Sequence, residues 1–361
     1  MQWSFPIARV AGTDIRVHVT FFLLLAWFAI IHFQAGGQAA AIEGVIFIIA
    51  IFACVVLHEL GHALAARRYG IATPRITLLP IGGVAELERM PEKPSQEIVV
   101  ALAGPLVNVI IAAILIYGFG ATLNAELLAT LENPARSFLS RLAAVNIVLV
   151  VFNLIPAFPM DGGRVLRALL SIPYGRVRAT DIAARTGQVL AFFFGFLGLV
   201  SGNVLLVFVA IFVYLAASGE AMAVTLQDIA RSVRVRDAMI TRFETLGPRS
   251  TLADAADLLL ATAQHEFPVV DGSGSLRGVL TREDMVAGIA RSGRETPVME
   301  VMARDVPVVR ADGMLDQALK SLQSGRAPVI GVADAGGRLV GYINRENIGE
   351  LMMVRSAVEG G

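Results

Sequence analysis

Hydrophobic and polar positions divide this chain into two stretches with different patterns. Up to about residue 225, long apolar runs alternate with short charged segments. The runs lie near 17–34, 43–66, 97–119, 138–158, 187–201 and 203–222. A helix needs about 20 apolar residues, and no fewer than roughly 17, to cross a bilayer core. The fifth run is marginal by that measure. Ser201-Gly202-Asn203 is either a tight turn between the last two runs or a bend within one element. The pattern predicts a polytopic α-helical membrane protein with about six transmembrane helices.

From about residue 237 charges are frequent and no run is long enough to span. Two segments there repeat. Val235-Arg236-Asp237-Ala238-Met239 corresponds to Val298-Met299-Glu300-Val301-Met302, and Gly278–Asp284 corresponds to Gly341–Asn347, both at an offset of 63 residues. Pro268-Val269-Val270 matches Pro328-Val329-Ile330 at an offset of 60. Each copy reads as strand, helix, strand, hairpin turn, strand, helix, and a duplicated unit of this size usually packs against its twin. The expected divisions are 1–225 for the membrane part, 226–236 for a linker, and 237–292 and 293–355 for the two repeats.

Composition supports this division. Hydrophobic residues make up 55% of the 361 and charged residues only 17%, against about 45–50% and 25% in soluble domains. Formal net charge is zero, so nothing points to a nucleic-acid partner. Cys54 is the one cysteine, which excludes an internal disulfide. The N-terminal stretch through Val19 has no clear small-residue cleavage site and does not read as a removable signal. The basic residues set an orientation by the positive-inside rule. Alternate loops carry Arg9 and Arg16, then Arg67, Arg68, Arg75, Arg89 and Lys93, then Arg164, Arg167, Arg176, Arg178 and Arg185, followed by Arg231, Arg234 and Arg236 in the tail. The opposite loops carry only Arg136 and Arg141. This predicts a multi-pass protein of the cell membrane with both termini in the cytoplasm.

The second run contains His58-Glu59-Leu60-Gly61-His62. Two imidazoles at i and i+4 leave one face of a helix, which suits zinc, with the intervening Glu59 as general base. Ionisable residues at membrane depth are costly and mark function. Zinc needs a third protein ligand. Asp161, in Asn153-Leu-Ile-Pro156-Ala-Phe-Pro159-Met-Asp161-Gly162-Gly163, is the best candidate. The second and fourth runs end at the same membrane face, and two prolines there would turn the aspartate inward. His18 is the alternative. Asn108, after Gly104-Pro105, either bonds to a neighbouring helix or faces the substrate. Leu79–Val84, with Gly82 and Gly83, is either a connecting loop or a re-entrant strand whose free edge takes an extended substrate.

The HELGH motif, the Gly104-Pro105…Asn108 element and the Asn153…Pro156…Asp161-Gly162 motif together resemble the site-2 protease family of intramembrane metalloproteases. The resemblance covers the membrane half. It implies one zinc per chain on His58, His62 and Asp161, Glu59 as base, and Asn153 positioning substrate or stabilising the oxyanion. It also implies membrane-anchored regulatory proteins as substrates, cut in or near a transmembrane helix. The repeat is similar to a tandem pair of CBS domains, so the expected architecture is the membrane domain followed by a cytoplasmic α/β CBS pair. Such pairs commonly bind ATP, ADP or AMP and often dimerise, which implies a homodimer. Thr281 and Asp284 match the family's ribose-binding positions, whereas Asn344 and Asn347 depart from them, so at most one nucleotide site is expected. The rival reading is a CBS-regulated transporter or channel, which would need polar groups through the whole membrane depth.

Overall fold

A computed structural model describes residues 3–80, 82–91, 93–123, 137–323 and 327–359. The chain divides into two compact units, Met1–Met222 and Ala223–Gly361.

The first unit begins with a hairpin, β1 (Ser4–Val10) and β2 (Thr13–His18), which the hydropathy pattern does not announce. Helix α1 (Val19–Arg67) follows, spanning 49 residues. Its helical geometry fails at Gly36 and Gly37, where φ reaches 71° at Gly37. The Phe21 and Phe52 rings pack edge-to-face at 4.6 Å, although a straight helix would separate them by about 46 Å. The helix therefore folds back on itself, and its two halves correspond to the first two apolar runs. Within Leu79–Val84 the described residues end one strand and begin another: β3 (Arg75–Leu79) and β4 (Gly82–Glu86) complete a sheet in the order β1-β2-β3-β4. β2 and β3 run parallel, the other two pairs antiparallel. Ile15 and Ile76 on the inner sheet face pack on Leu60 of α1, beside the two histidines.

Helix α2 (Pro94–Ala113) ends in a π-turn, Ile114–Gly118. Helix α3 (Phe138–Asn153) is shorter than the fourth apolar run, because Pro156 and Pro159 lack the N–H groups that helix continuation needs. Helix α4 (Asp161–Tyr174), α5 (Arg176–Ser201) and α6 (Val204–Ser232) complete the unit. The turn between α5 and α6 sits at Gly202, in the left-handed region that favours glycine. Among the described residues, four helices (α1, α2 with its π-turn, α5 and α6) are long and apolar enough to cross a membrane, and α3 is a shorter apolar helix. Phe192, Phe196, Leu199, Leu205 and Phe208 of α5 and α6 are exposed. Soluble proteins rarely leave such a continuous apolar surface uncovered.

Two expectations about charge are corrected here. Arg141 is not a loop residue. It lies in the first turn of α3, 1% exposed, with its guanidinium 4.0 Å over the Phe47 ring and paired to Glu43 at 2.7 Å. Arg167 is likewise fully buried on α4, where it pairs with Glu97 of α2 and Glu220 of α6. Loop counting treats both as solvated, but removing one partner of a buried pair costs about 3–5 kcal/mol. Arg136 lies outside the described residues.

The second unit starts within α6, so much of the expected 226–236 linker is helix. Ile229, Ala230, Val233 and Val235 are core residues there, packed with Leu315, Ile330 and Ile343. The unit continues with α7 (Leu252–Ala261), β5 (Glu266–Val270), β6 (Leu276–Thr281), α8 (Arg282–Ser292), α9 (Val298–Val301), β7 (Val308–Arg310), α10 (Leu315–Gln323), β8 (Val329–Ala333), β9 (Leu339–Asn344) and α11 (Arg345–Glu359). The expected first strand of the first copy is reduced to one bridge, Leu246 to Val269. The copies exchange their opening segments: Ile240 pairs with Tyr342 of the second copy, and Ala303 pairs with Val279 of the first. Asp271 and Asp334 hold the two hairpin turns by accepting backbone N–H groups. At Asp271 the Ser273 hydroxyl, with the Ser275 and Ser273 amides, lowers the carboxyl to about 2.

Candidate metal centre

The second half of α1 presents His58 and His62 on one face. Glycines allow a second helix to press against that face. A Cβ at Gly61 would stand 2.8 Å from the Ala103 carbonyl of α2, and one at Gly104 would stand 2.7 Å from His58 Nε2 and closer still to His62 Nε2. Only hydrogen at both positions permits this approach. Asp161 arrives from the first turn of α4. That turn sits tightly on the loop before it, since a Cβ at Gly163 would lie 2.6 Å from the Ala157 carbonyl. Thus Gly61, Gly104 and Gly163 gather three ligands from two elements.

The ligand atoms form a nearly equilateral triangle. His58 Nε2 and His62 Nε2 are 3.1 Å apart, and Asp161 Oδ2 is 3.2 Å from each. Ligand atoms of a tetrahedral zinc with bonds of 2.0–2.1 Å stand about 3.3 Å apart. The far side of each imidazole is anchored. His62 Nδ1 lies 2.7 Å from the Val100 carbonyl, which can only accept, so Nδ1 carries a proton, and in the neutral imidazole Nε2 is then the free lone pair. His58 Nδ1 donates to Asn108 Oδ1 at 2.5 Å. Two nitrogen lone pairs and a carboxylate oxygen therefore converge on one point. Among the described residues Asp161 Oδ2 is buried without a hydrogen-bond partner. Three acceptors this close repel one another unless a proton or a metal cation lies between them, and the set of two imidazoles and a carboxylate fits a zinc ion. Among the described residues this is the one group of three or more metal-ligating side chains close enough together to hold an ion.

The triangle opens on a cavity of about 300 Å³ lined by Glu59, Gly82, Gly83, Val84, Asn153, Asp161 and Arg164, among others. Glu59 leans on β4, where a Cβ at Gly83 would meet its Cγ at 2.7 Å. Among the described residues β4 is the last strand of its sheet and pairs on one edge only, and its residues Gly82–Ala85 line this wall. The structure thus brings together His58, Glu59, His62, Gly82, Gly83, Asn153 and Asp161. Asn108 stands elsewhere: it is fully buried behind His58 with its oxygen and nitrogen both bonded, and it does not face the cavity. His18 caps the N-terminus of α1 by accepting from the Thr20 N–H and is not in the ligand group. Sequence reasoning missed Arg164. Its signal was a cation three residues after Asp161, hence one helical turn on. Among the described residues the guanidinium makes no hydrogen bond or ion pair, though it lies in the field of Asp161, Glu220, Glu59 and Glu97.

In the second unit, Thr281 and Asp284 line a cavity of about 500 Å³ with Glu266, Glu283, Asn344, Arg345 and Glu346. Thr281 caps α8, donating to Asp284 Oδ2 at 2.8 Å and accepting the Asp284 N–H at 3.1 Å. Asn344 accepts the Asn347 N–H at 2.8 Å and donates to Glu266 at 3.1 Å.

Comparison with known proteins adds the family context. Residues 46–194 match the model of peptidase family M50, and residues 235–291 and 298–353 match the CBS domain. The chain is 32% identical to the zinc metalloprotease MJ0392 of Methanocaldococcus jannaschii, over 98% of this chain and 97% of that one. It is 30% identical to the putative zinc metalloprotease Rip3 of Mycobacterium tuberculosis, over 98% and 94%. A solved structure, the site-2 protease from M. jannaschii, shares 38% identity over 61% of this chain and 95% of that one, with a TM-score of 0.47.

Proposed function

The chain belongs to peptidase family M50, the site-2 zinc metalloproteases, and from that premise we propose how its residues carry out proteolysis within a membrane. The family sets aside the transporter reading: this is a multi-pass intramembrane metalloprotease with a CBS pair. The observation that carries the assignment of residues is the triangle of three bare acceptors with an unsatisfied Asp161 oxygen. His58, His62 and Asp161 would hold one zinc ion, which supplies Lewis-acid chemistry by acidifying water and polarising a peptide carbonyl.

The remaining steps belong to the protein. Glu59, on the cavity wall, takes the proton of the attacking water on its carboxylate and returns it to the departing amine. Asn153 offers its amide, and Arg164 a permanent positive charge, where negative charge develops on the carbonyl oxygen. A helical peptide bond is shielded, so the substrate helix must unwind before cleavage. The unpaired edge of β4 then receives the unwound segment as an added strand, with Gly82 and Gly83 leaving room for its backbone. Asn108 acts from behind His58.

The basic-residue pattern and the folded-back α1 support six crossings with both termini in the cytoplasm. Membrane-anchored regulatory proteins are the substrates this reading implies, released by cleavage in or near a transmembrane segment. The CBS pair, in the divisions 237–292 and 293–355, would dimerise and sense an adenine nucleotide at Thr281 and Asp284. Three glutamates beside those residues disfavour polyphosphate and favour AMP over ATP or ADP. The test is Glu59→Gln in purified, reconstituted protein with a membrane-embedded substrate. Zinc content should stay at one per chain while cleavage is lost; retained cleavage removes Glu59 from the mechanism.

A further inference from the structure

His58 can hold zinc only if its proton sits on Nδ1, and Asn108 alone does not guarantee that. A primary amide has an oxygen and an NH₂ of nearly equal size. Turned over, Asn108 would present donors to Nδ1, draw the proton to Nε2 and block the metal. Asn146 of α3 decides which way it faces. Asn108 Nδ2 donates to Asn146 Oδ1 at 2.7 Å, and Asn146 Nδ2 donates to the Leu142 carbonyl at 2.9 Å. A backbone carbonyl accepts and cannot donate. It therefore fixes Asn146 with its NH₂ toward Leu142, which turns its oxygen to Asn108, which in turn leaves the Asn108 oxygen for His58.

Both asparagines are fully buried, so no water competes with the relay. Cys54 Sγ is a weaker second acceptor for Asn146, at 3.4 Å. Sulfur is a poor acceptor, and it does not set the polarity. The chain of bonds runs from a backbone carbonyl that can only accept, through both amides, to a metal-ligand candidate.

We infer that Asn146 is a positioning residue for the metal centre: through Asn108 it sets the tautomer of His58 and so the affinity for zinc. This rests on the assignment of His58 as a ligand. The measurement is zinc affinity of the purified full chain by competition with a chromophoric chelator, with His58→Ala as reference. Partners that orient a ligating histidine are typically worth 10–100-fold in metal affinity, and Asn146→Leu, close in volume, should show a loss of that order. In an Asn108→Asp background the carboxylate can only accept from His58, so the tautomer is set without Asn146. There the leucine substitution should cost no further affinity. Equal loss in both backgrounds would mean Asn146 merely fills space, and undiminished affinity in Asn146→Leu would also overturn the inference. If leucine prevents folding, Asn146→Ala takes its place with the same two comparisons. Wild type with tight zinc that His58→Ala abolishes, beside unchanged Asn146→Leu, would end the relay but spare the ligand assignment. Wild type without zinc would end both.

Discussion

Gly104→Ala should disable the metal centre while leaving the helix intact. The added methyl would stand 2.7 Å from His58 Nε2, and nearer than that to His62 Nε2. Carbon and nitrogen rest comfortably at about 3.4 Å or more, so both imidazoles, or α2 itself, must retreat, by about 0.7 Å from His58 and by more from His62. Zinc–ligand distances hold to about 0.2 Å. A displacement several times that tolerance removes a ligand from the coordination sphere or tilts it off axis. The expected loss in zinc affinity exceeds about 10–100-fold (roughly 1.4–2.7 kcal/mol), the range for losing only a partner that orients a ligand. Alanine is itself a better helix former than glycine by about 1 kcal/mol, so the damage is local. Gly219→Ala is the control, because none of the described residues lies within 4 Å of its Cβ position. Chelator competition on both variants, with circular dichroism to verify helix content, is the assay. Wild-type affinity in Gly104→Ala would refute the claim that this glycine gives the metal its room.

Two other perturbations probe the neighbouring chemistry. Arg164→Gln should leave zinc affinity within about threefold and lower kcat by about 10–100-fold, since the loss of one group at a developing oxyanion costs the transition state more than the ground state; a change confined to KM would assign the residue to substrate binding instead. Calorimetry on the detergent-solubilised full chain should show AMP bound more tightly than ATP, with Thr281→Ala/Asp284→Ala weakening AMP at least tenfold and changes at Asn344 doing less, whereas tighter ATP binding would refute the electrostatic reading of that cavity.

The candidate metal ligands were legible in the sequence because their signal is local. Two histidines four residues apart share a helix face whatever the rest of the fold does, and Asp161 follows two prolines that separate the helix before it from the one it begins. The duplicated tail was readable for a similar reason, since a repeat shows itself by self-similarity. Less local features were misjudged. The hairpin β1–β2 gives little hydropathy signal because β1 buries only Ser4, and the alternation of buried Thr13, Ile15 and Val17 spans just the six residues of β2. Arg141 and Arg167 looked like loop charges, and only the positions of Glu43, Glu97 and Glu220 on other helices make them core residues.

The sequence by itself determined the chemistry: which residue types can hold a metal, which can move a proton, where apolar runs demand a bilayer, and where a repeat begins. Tertiary structure decided what each of those residues faces. Asn108 reads in one dimension as a polar residue one helical turn from a glycine. In three dimensions it is the link between His58 and Asn146, 38 residues away along the chain. Arg164 reads as one more basic residue in a loop, yet it lines the cavity of the metal centre. The physical reason is range. Helix periodicity, capping and ligand spacing act within one or two turns and are written along the chain. Hydrogen-bond direction, close helix approach and the pairing of buried charges depend on atoms that only the fold brings within 3–4 Å.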